Sequence, residues 1–449
     1  MILGLDRRDG DKMTKEELKR KVCEAIAARK DDIIALGESI FNEPELGYKE
    51  TKTAGKVEQI FTELGVPYQS GVALTGVKGR LKGKESKYSV AVIGELDAVV
   101  CPDHPNADPI SGAAHCCGHN VQIATMAAVG MGLKDAGIME HLAGDVVLFA
   151  VPAEEYVEIT YRNKLREEGK IEYIGGKPEL IRIGAFDDVD MALQIHVISD
   201  PEGKGFIDMS TTSNGFVGKL IQYKGRASHA AAAPHDGVNA LNAAMMGIMG
   251  VHAQRETFKD EDHVRFHPII TQGGDLVNVV PSDVRMESYV RAGNIKAIQD
   301  ANIKVNRALE AGAMAVGAEV VIQDLPGYLP LYNDQTLNQI MGDNARELIG
   351  ADRVGVAEHM AGSFDMGEVS HIMPISHPLI GGVVGSLHGK DYKIIDQDLV
   401  YVKSAQMMAM SVIDLLYGEA EGANQLMSEY KPLLKKDELL KFLDSFASK

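Results

Sequence analysis

A short loop between a strand-like run and a helix-like run concentrates metal-capable side chains in this sequence. Cys117 and His119 are two residues apart, so on one regular helix they would point in widely different directions. They converge only where the backbone is not yet helical, and Gly118 between them gives the backbone that freedom. Asn120 then caps a helix predicted over residues 121–136. The segment therefore predicts a loop that presents two ligands at the start of a helix.

The Cys–His pair alone does not make a metal site. A thiolate and an imidazole side by side suit zinc or another borderline-soft divalent ion, and a complete site needs His, Asp or Glu from elsewhere. The alternative is that Cys117 and His119 are ordinary packing residues, since free cysteine is among the most often buried residue types. The rest of the chain has to supply the other ligands.

Acidic side chains follow two predicted buried strands. Residues 89–93 form a continuous apolar run, typical of a strand covered on both faces, and Asp97 follows it. Residues 145–151 form a second such run, followed by Glu154 and Glu155. Two adjacent carboxylates can face opposite ways, so one can bind a metal while its neighbour acts as a general base. The alternative for the paired glutamates is a solvated loop.

A third predicted strand, over residues 191–197, carries His196 inside an apolar run. Alone, such a histidine is more often a satisfied core residue. However, open α/β sheets keep their sites just past the carboxyl ends of their strands. The recurrence of ligand-type residues at three successive strands therefore favours one shared site.

Length and charge limit the class of protein. A chain of 449 residues exceeds what one hydrophobic core usually covers, which predicts two or more domains. The 46 basic and 64 acidic residues give a formal charge of −18 without long blocks of like charge, which disfavours nucleic acid or an anionic membrane as a partner. No apolar run approaches the roughly 20 residues that cross a bilayer. The four cysteines are interpreted as reduced thiols, and we expect a cytoplasmic protein.

From about residue 215 the order of the predicted elements changes. A strand, a helix, two strands, a helix and a strand follow one another at residues 219–225, 238–258, 264–273, 284–292, 294–316 and 319–324. This is the order of a ferredoxin-like unit, which would form a small domain inserted in a larger one. We predict an inserted domain over residues 214–325 and a catalytic domain over residues 1–213 and 326–449. His229 in the insert is either a surface residue or a site residue.

Six segments together carry a family resemblance. In chain order they are Cys117-Gly118-His119-Asn120, Pro152-Ala153-Glu154-Glu155, His196, Ser228-His229-Ala230-Ala231, Val277-Asn278-Val279-Val280-Pro281 and His388. They resemble the amidohydrolase branch of the metal-dependent aminoacylase and carboxypeptidase family, family twenty of the metallopeptidases, over nearly the whole chain. The resemblance implies an α/β protein. Its zinc-exopeptidase-like three-layer α/β/α catalytic domain would carry an inserted ferredoxin-like α+β domain that dimerises and acts as a lid.

The resemblance also implies a role for each site residue. The ligands of two divalent ions would be Cys117, His119, Glu155, His196 and His388. Glu154 would be the base, and His229 would stabilise the oxyanion of the tetrahedral intermediate in the partner subunit's active site. Asn278 and Arg291 would contact substrate. His388 fits the late ligand better than the fallback, His377, because a short polar and aromatic segment follows it.

Two positions depart from the family pattern. Asn120 replaces the common Asp, and Glu95 stands where other branches have a ligating His two residues before Asp97. Asp97 and Asn120 are therefore expected to support ligands rather than to bind metal. The thiolate favours zinc, with manganese or cobalt as alternatives. The variant segments resemble the aminobenzoyl-glutamate hydrolase and β-alanyl-dipeptidase-like members most closely.

The expected chemistry is hydrolysis of the amide bond of an N-acyl, aroyl or aminoacyl amino acid with a free carboxylate, by water that two ions activate. The expected assembly is a homodimer. One alternative is a non-catalytic metal-binding homologue with a regulatory role, against which the intact Glu154 and Glu155 argue. Another is a structural zinc protein, but structural sites draw on short spacings, whereas these ligands span roughly 270 positions.

Overall fold

The computed structural model of the protein describes residues 13–209 and 212–446; the first twelve residues of the predicted catalytic domain lie outside the described residues. The strands are β1 (Tyr68–Val72), β2 (Gly76–Leu81), β3 (Ser89–Glu95), β4 (Val99–Val100), β5 (Ala113–Ala114), β6 (Asp145–Val151), β7 (Met191–Leu193), β8 (His196–Ser199), β9 (Ile207–Met209), β10 (Gly215–Lys224), β11 (Arg265–Gln272), β12 (Asp283–Ala292), β13 (Glu319–Pro326), β14 (Val354–Val356), β15 (Ile375–Ser376), β16 (Leu379–Val384) and β17 (Lys393–Ile394). The helices are α1 (Lys15–Ala28), α2 (Lys30–Phe41), α3 (Thr51–Glu63), α4 (His119–Asp135), α5 (Ile159–Glu167), α6 (Gly176–Arg182), α7 (Ala240–His252), α8 (Ile295–Val316), α9 (Gln335–Ile349), α10 (Met366–Ile372), α11 (Ser404–Leu416), α12 (Glu421–Glu429) and α13 (Lys436–Asp444).

The central sheet has six strands in the order β1-β2-β6-β3-β7-β15. Its middle strands, β3 and β6, pair in parallel from Ser89 opposite Asp145 to Glu95 opposite Val151. Every residue of both strands is buried, as expected when helices cover both faces of a sheet. The carboxyl ends of β3 and β6 therefore lie side by side at one edge of the sheet.

Alternate residues of the central strands face two different helical layers. Val90 and Val92 of β3 belong to an apolar cluster that includes α1, α4 and α11. Ala91 and Ile93 belong to a second cluster, with residues of α6, α10 and α13. This alternation is the period of two expected of a strand buried on both faces. The predicted three-layer α/β/α architecture is confirmed.

The inserted domain has its own sheet and its own core. Its elements follow as β10, α7, β11, β12, α8 and β13, and the sheet order is β11-β12-β10-β13 with all neighbours antiparallel. Both helices pack on one face of this sheet in a separate apolar cluster. The sheet begins at Gly215 and ends at Pro326, one residue later at each end than the predicted limits.

Two predicted elements differ from the structure. The strand expected over residues 191–197 is divided, because the chain leaves the central sheet after β7 and pairs through β8 with β16 of a second sheet. The helix expected over residues 398–417 begins with a π-helical segment, Asp398–Lys403, that continues into α11. The combined helix is long and apolar enough to cross a membrane, but 89% of its most apolar window is buried inside the protein, as in a core helix.

Gly94, the last residue but one of β3, sets how closely α4 approaches the sheet. A Cβ there would lie 2.9 Å from the backbone C and O of Gln122 and 3.0 Å from the N of Ile123. We predict that Gly94→Ala lowers the free energy of unfolding by about 1–3 kcal/mol, because backbone rather than side chain has to move. Urea denaturation measures this change.

The control is Gly55→Ala in the exposed part of α3, where a Cβ would meet nothing within 4 Å. It should raise the free energy of unfolding by up to about 1 kcal/mol, because alanine favours a helix over glycine. Changes of the same sign in both variants would contradict the close approach of α4 to β3.

Candidate active site

Asp97 holds the acidic turn that follows β6. Its two carboxylate oxygens accept hydrogen bonds from the backbone N–H groups of Glu154 at 3.1 Å and Glu155 at 2.9 Å. Its backbone carbonyl accepts a hydrogen bond from Nδ1 of His119 at 2.9 Å. Asp97 therefore occupies the supporting position that the sequence predicts for it, because it orients three neighbours without facing the cavity.

The Cys–His loop turns at a glycine in the left-handed region. Gly118 has φ +85°, and α4 begins at the next residue, two residues earlier than the sequence predicts. A Cβ at Gly118 would lie 2.2 Å from Cγ2 of Val197, so both the turn and the close contact require glycine. The turn aims Cys117 and His119 at the same region, as the loop interpretation expects.

Asn120 lies elsewhere than the sequence interpretation places it. It is the second residue of α4 and not its cap, and its side-chain N–H₂ group donates to the carbonyl of Gly37 at 3.3 Å and to the hydroxyl of Tyr401 at 3.0 Å. Neither contact involves a candidate ligand. Asn120 ties α4 to its neighbouring helices, and its departure from the common Asp does not alter the surroundings of the ligands directly.

Two groups of donor atoms share the thiol of Cys117. One group contains Cys117, His119 and His196, the other contains Cys117, Glu155 and His388, and the donor atoms of each group lie within 4.8 Å of one another. The Sγ atom of Cys117 is 3.5 Å from Nε2 of His196 and 3.2 Å from Nε2 of His388. The structure thus brings together all five side chains that the resemblance implies as ligands.

The geometry favours His388 over His377 as the late ligand. Nε2 of His388 is 3.0 Å from Oε1 of Glu155, and its backbone N–H donates to the carbonyl of Cys116 at 2.9 Å. His377 is fully buried with its ring centroid 4.7 Å from that of Phe364, and it belongs to neither donor group.

Glu95 is a site residue that the sequence interpretation missed. Its Oε2 atom lies 2.9 Å from Nε2 of His119, and these two residues form a third donor group with Glu154. Its carboxylate also accepts hydrogen bonds from Lys177 at 2.6 Å, Gln194 at 2.6 Å and Gln122 at 2.8 Å. The available signal was its position at the end of a buried strand, where a charged side chain needs partners.

Buried charges of opposite sign shift the pKa values at the site. Burial raises the pKa of the Glu154 carboxyl well above its usual value, and the charges of Glu95 and Glu155 raise it further. Burial also opposes ionisation of Glu155, but the charge of His388 lowers its pKa to about 2. The Glu155 carboxylate in turn raises the pKa of His388 to about 12 against the effect of burial. Burial and Glu155 oppose ionisation of the Cys117 thiol, yet the nearby imidazoles lower its pKa to about 6.

The donor atoms fit divalent cations. Nε2 of His119 and Oε1 of Glu155 are buried and make no hydrogen bond, although an oppositely charged group lies within 3.0 Å of each. Buried polar atoms usually have a hydrogen-bonding or coordinating partner, so a partner is expected for each of these two atoms. Sulfur, imidazole and carboxylate donors together are the set that zinc and related ions accept.

A cavity of about 310 Å³ opens over the donor groups, and Arg291 lies in its wall. Nη1 of Arg291 donates to the hydroxyl of Ser363 at 2.7 Å, and the guanidinium carbon lies 5.0 Å from the ring centroid of Phe216 and 5.2 Å from that of Tyr289. The wall that contains Glu154 and Glu155 therefore also contains a cation, and the resemblance implies a substrate contact for it.

Four aromatic residues form another part of the wall. Tyr156, Phe216, Tyr289 and Tyr328 pack against one another with ring centroids 4.8–5.7 Å apart. Each phenol hydroxyl donates to a backbone carbonyl: Tyr156 to Pro326, Tyr289 to Tyr156 and Tyr328 to Glu154. The hydroxyls are therefore engaged by the protein, and the rings supply apolar surface to the cavity.

His229 and Asn278 do not line this cavity. Both are exposed on the inserted domain and lie side by side, since the N–H of Ala230 donates to the carbonyl of Asn278 at 2.9 Å. Nδ1 of His229 accepts hydrogen bonds from the N–H groups of Ala231 at 3.2 Å and Ala232 at 3.1 Å. The neutral ring therefore carries its proton on Nε2, which is available as a donor.

A three-layer α/β/α domain with an inserted ferredoxin-like domain, donor groups for divalent ions and an adjacent buried glutamate together define a metal-dependent hydrolase. A sequence model described as Peptidase family M20/M25/M40 matches residues 91–410, and the chain belongs to this family. The predicted resemblance is thereby confirmed. The protein is a metal-dependent hydrolase of carbon–nitrogen bonds, and the non-catalytic alternative has no support.

Relatives agree with this assignment over nearly the full chain. The Xaa-Arg dipeptidase of Mus musculus is 29% identical over 451 residues, which cover 95% of each chain. A dinuclear metal binding peptidase of the M20 family from Bacillus subtilis has a similar fold, with a TM-score of 0.64, 22% identity, and 87% of this chain and 99% of that chain covered. The aminobenzoyl-glutamate utilization protein from Klebsiella pneumoniae has a TM-score of 0.64 at 18% identity, covering 90% and 98%.

Lys177 neutralises two buried carboxylates behind the donor groups. Its side chain is fully buried, with Nζ bonded to Glu95 and to Asp365. We predict that Lys177→Met lowers the free energy of unfolding by about 3–5 kcal/mol, because two buried carboxylates lose their cation. Thermal and urea denaturation measure the loss.

Lys30→Met is the matched control, because the ion pair of Lys30 with Asp398 has a similar length, 2.6 Å, but both side chains are nearly half exposed. It should leave the unfolding midpoint almost unchanged. Equal losses in the two variants would show that burial is not the reason for the effect of Lys177.

Proposed function

We propose that the protein hydrolyses the amide bond of an N-acyl, aroyl or aminoacyl amino acid whose amino-acid part has a free carboxylate. The observation that carries this proposal is that one cavity is lined by Glu154, by residues of the two donor groups and by Arg291. A guanidinium matches the planar geometry of a carboxylate. The aromatic wall supplies apolar surface for the rest of a small substrate.

The names of two relatives support this substrate class. The mouse relative is named as a dipeptidase for Xaa-Arg, and the Klebsiella protein is named for aminobenzoyl-glutamate. Both names describe an amino acid held in an amide bond. A panel of substrates with different acyl groups would identify the one that this protein prefers.

We infer that two divalent ions bind, one in each donor group that contains Cys117. The Bacillus subtilis relative is described as a dinuclear metal binding peptidase, which supports this number. Zinc is the first choice because of the thiolate, with manganese or cobalt as alternatives. When bound, such ions polarise the scissile carbonyl and lower the pKa of water toward about 7.

The residues of the chain would perform the remaining steps. Glu154 takes a proton from the attacking water and passes it to the leaving nitrogen, while Arg291 holds the substrate carboxylate. Nε2 of His229 donates to the oxyanion, and Asn278 beside it contacts substrate. Because neither lines the cavity of its own chain, we propose that they come from the partner subunit as the inserted domain closes.

The inserted domain offers a surface for this partner. Exposed apolar side chains occur on α7 and on the edge strand β11: Met245, Met246, Met249, Ile269 and Ile270. An exposed edge strand beside apolar side chains favours pairing with a second copy of the chain. We therefore propose a homodimer through the inserted domain. We also propose that the protein is cytoplasmic and that its other partner is a small molecule; the charge of −18 disfavours nucleic acid and an anionic membrane as partners.

The central test is Glu154→Gln. The wild type is assayed with zinc, manganese and cobalt on N-acyl amino acids, aminobenzoyl-glutamate and β-alanyl dipeptides. The variant should keep its bound metal and lose kcat by about 10²–10⁴-fold, because the base is removed. Glu155→Gln is the control. This variant should bind metal more weakly than the wild type, because Glu155 is a candidate ligand. Near-normal hydrolysis by Glu154→Gln would remove the base assignment, and a wild type that binds no metal and cleaves no amide would contradict the function.

Complementation tests the role of His229. His229→Ala and Glu154→Gln are each expected to be inactive as homodimers. After co-expression in equal amounts the mixture should recover about a quarter of the wild-type activity, because half of the dimers are hybrids and each hybrid has one complete site. No recovery in isolated hybrid dimers would show that His229 acts in its own subunit.

A further inference from the structure

The turn that follows β6 contains a strained residue, Ala153. Its φ is +54°, in the left-handed region that a residue with a Cβ rarely adopts. Its backbone is held on both sides, since its N–H donates to Oε1 of Glu50 at 2.8 Å and its carbonyl accepts from the N–H of Gly176 at 3.0 Å. Strained backbone of this kind persists only where the surroundings hold it. The conformation of the turn therefore depends on groups outside it.

Glu50 is itself fixed in place. Its side chain is fully buried, and its second carboxylate oxygen accepts a hydrogen bond from the hydroxyl of Thr75 at 2.6 Å. The chain just before it is tied to the site as well, because the N–H of Ala98 donates to the carbonyl of Glu45 at 2.7 Å. A carboxylate held at two points cannot follow the turn if the turn relaxes. Glu50 thus acts as a fixed acceptor for Ala153.

The left-handed residue decides where the two following carboxylates point. Oε2 of Glu154 lies 3.6 Å from Nε2 of His119, whereas Oε1 of Glu155 lies 3.0 Å from Nε2 of His388. Asp97 binds the N–H groups of both glutamates, so it fixes their backbone only after the chain has reversed at Ala153. The different orientations of Glu154 and Glu155 are therefore set one residue earlier, by the hydrogen bond between Ala153 and Glu50.

We propose that Glu50 is a positioning residue for the hydrolytic site, which keeps Ala153 in the left-handed conformation and so directs Glu154 and Glu155 to different donor groups. The inference rests on the proposed function, because that function assigns Glu155 to one ion and makes Glu154 the base. Glu50 does not line the cavity, so its effect must pass through the turn.

The first test measures metal alone. Full-length wild type, Glu50→Ala and Glu50→Gln are titrated with Zn²⁺ against a competing chelator. Wild type should bind two ions. Glu50→Ala should bind one of them about 10–100-fold more weakly, because Glu155 belongs to only one of the two groups that share Cys117. Glu50→Gln should stay within a few-fold of wild type, since its amide oxygen can accept the same hydrogen bond from Ala153.

The second test is rescue at Ala153. Glycine adopts the left-handed conformation without strain, so a turn with Ala153→Gly depends less on Glu50. With the best substrate of the panel, Glu50→Ala should lower kcat by about 10²-fold with little change in KM, because the geometry of the reacting groups is altered while substrate binding is kept. The double variant Glu50→Ala/Ala153→Gly should have a kcat at least about tenfold higher than that of Glu50→Ala. It should also bind more tightly the ion that Glu50→Ala binds weakly.

Asp145→Ala controls for a general loss of stability. Asp145 is a buried carboxylate at the other end of β6, and it accepts hydrogen bonds from the N–H of Gly83 at 3.3 Å and the hydroxyl of Ser86 at 2.8 Å. This variant should lower stability and still bind two ions. If Glu50→Ala does not fold, Thr75→Val removes the second anchor of Glu50 and should weaken the same ion to a smaller degree.

The outcomes separate this inference from the proposed function. A wild type that binds fewer than two ions contradicts the proposed pair of ions before any variant is compared, and a wild type that cleaves no amide and binds no metal contradicts the function. A wild type that binds two ions, with a Glu50→Ala variant that binds both as tightly and keeps kcat, overturns the role of Glu50 alone. Equal weakening of both ions without rescue by Ala153→Gly also overturns it, because the effect would then be one of stability.

Discussion

The parallel pairing of β3 with β6 is the constraint on which the site depends. Glu95 pairs with Val151 at the ends of the two strands. Asp97, two residues after β3, therefore lies beside Glu154 and Glu155, which follow β6. A shift of the register by one residue would turn every side chain of one strand to the other face. The burial of both faces therefore fixes the register, and the register fixes the hydrogen bonds that hold the backbone of Glu154 and Glu155. The strand register that stabilises the sheet therefore also determines the geometry of the site.

The charges of the site follow from that placement. Carboxylates and a thiol crowd into a buried region, and their charge must be balanced by Lys177 and by the histidines. Imidazoles that face carboxylates have raised pKa values, so cations compete with protons for the same donor atoms. Lys177 is different because it offers no ligand atom and its side chain is bonded to the carboxylates of Glu95 and Asp365. It stabilises the fold whether the donors hold protons or ions.

The sequence predicted the features that follow from periodic residue patterns and missed those that depend on the direction in which a side chain points. The buried strands and the order of the inserted domain follow from residue types and spacing, whereas the set of five candidate ligands is what the family resemblance implies. The position of Asn120 could also have been predicted, because the next residue after His119 on a helix points about 100° away from it. Periodicity did not separate Glu95 from Asp97, because residues two apart on a strand face the same side; the usable signal was the position of Glu95 at the end of a buried strand. The break between β7 and β8 was hidden because residues 191–197 are apolar except for Gln194 and His196, on both sides of the break.

The aromatic wall of the cavity is also the contact between the two domains. Tyr156 and Ile174 of the catalytic domain form one apolar cluster with Phe216 and Leu325, which lie on β10 and β13, the strands by which the inserted domain is connected. Any rotation of the inserted domain must therefore repack the wall that substrate contacts. Because the phenol hydroxyls are bound to backbone carbonyls, this wall discriminates by shape and apolar area rather than by hydrogen bonds. A substrate that fills the cavity well would stabilise one position of the inserted domain, which couples recognition of the acyl group to the placement of the residues that domain carries.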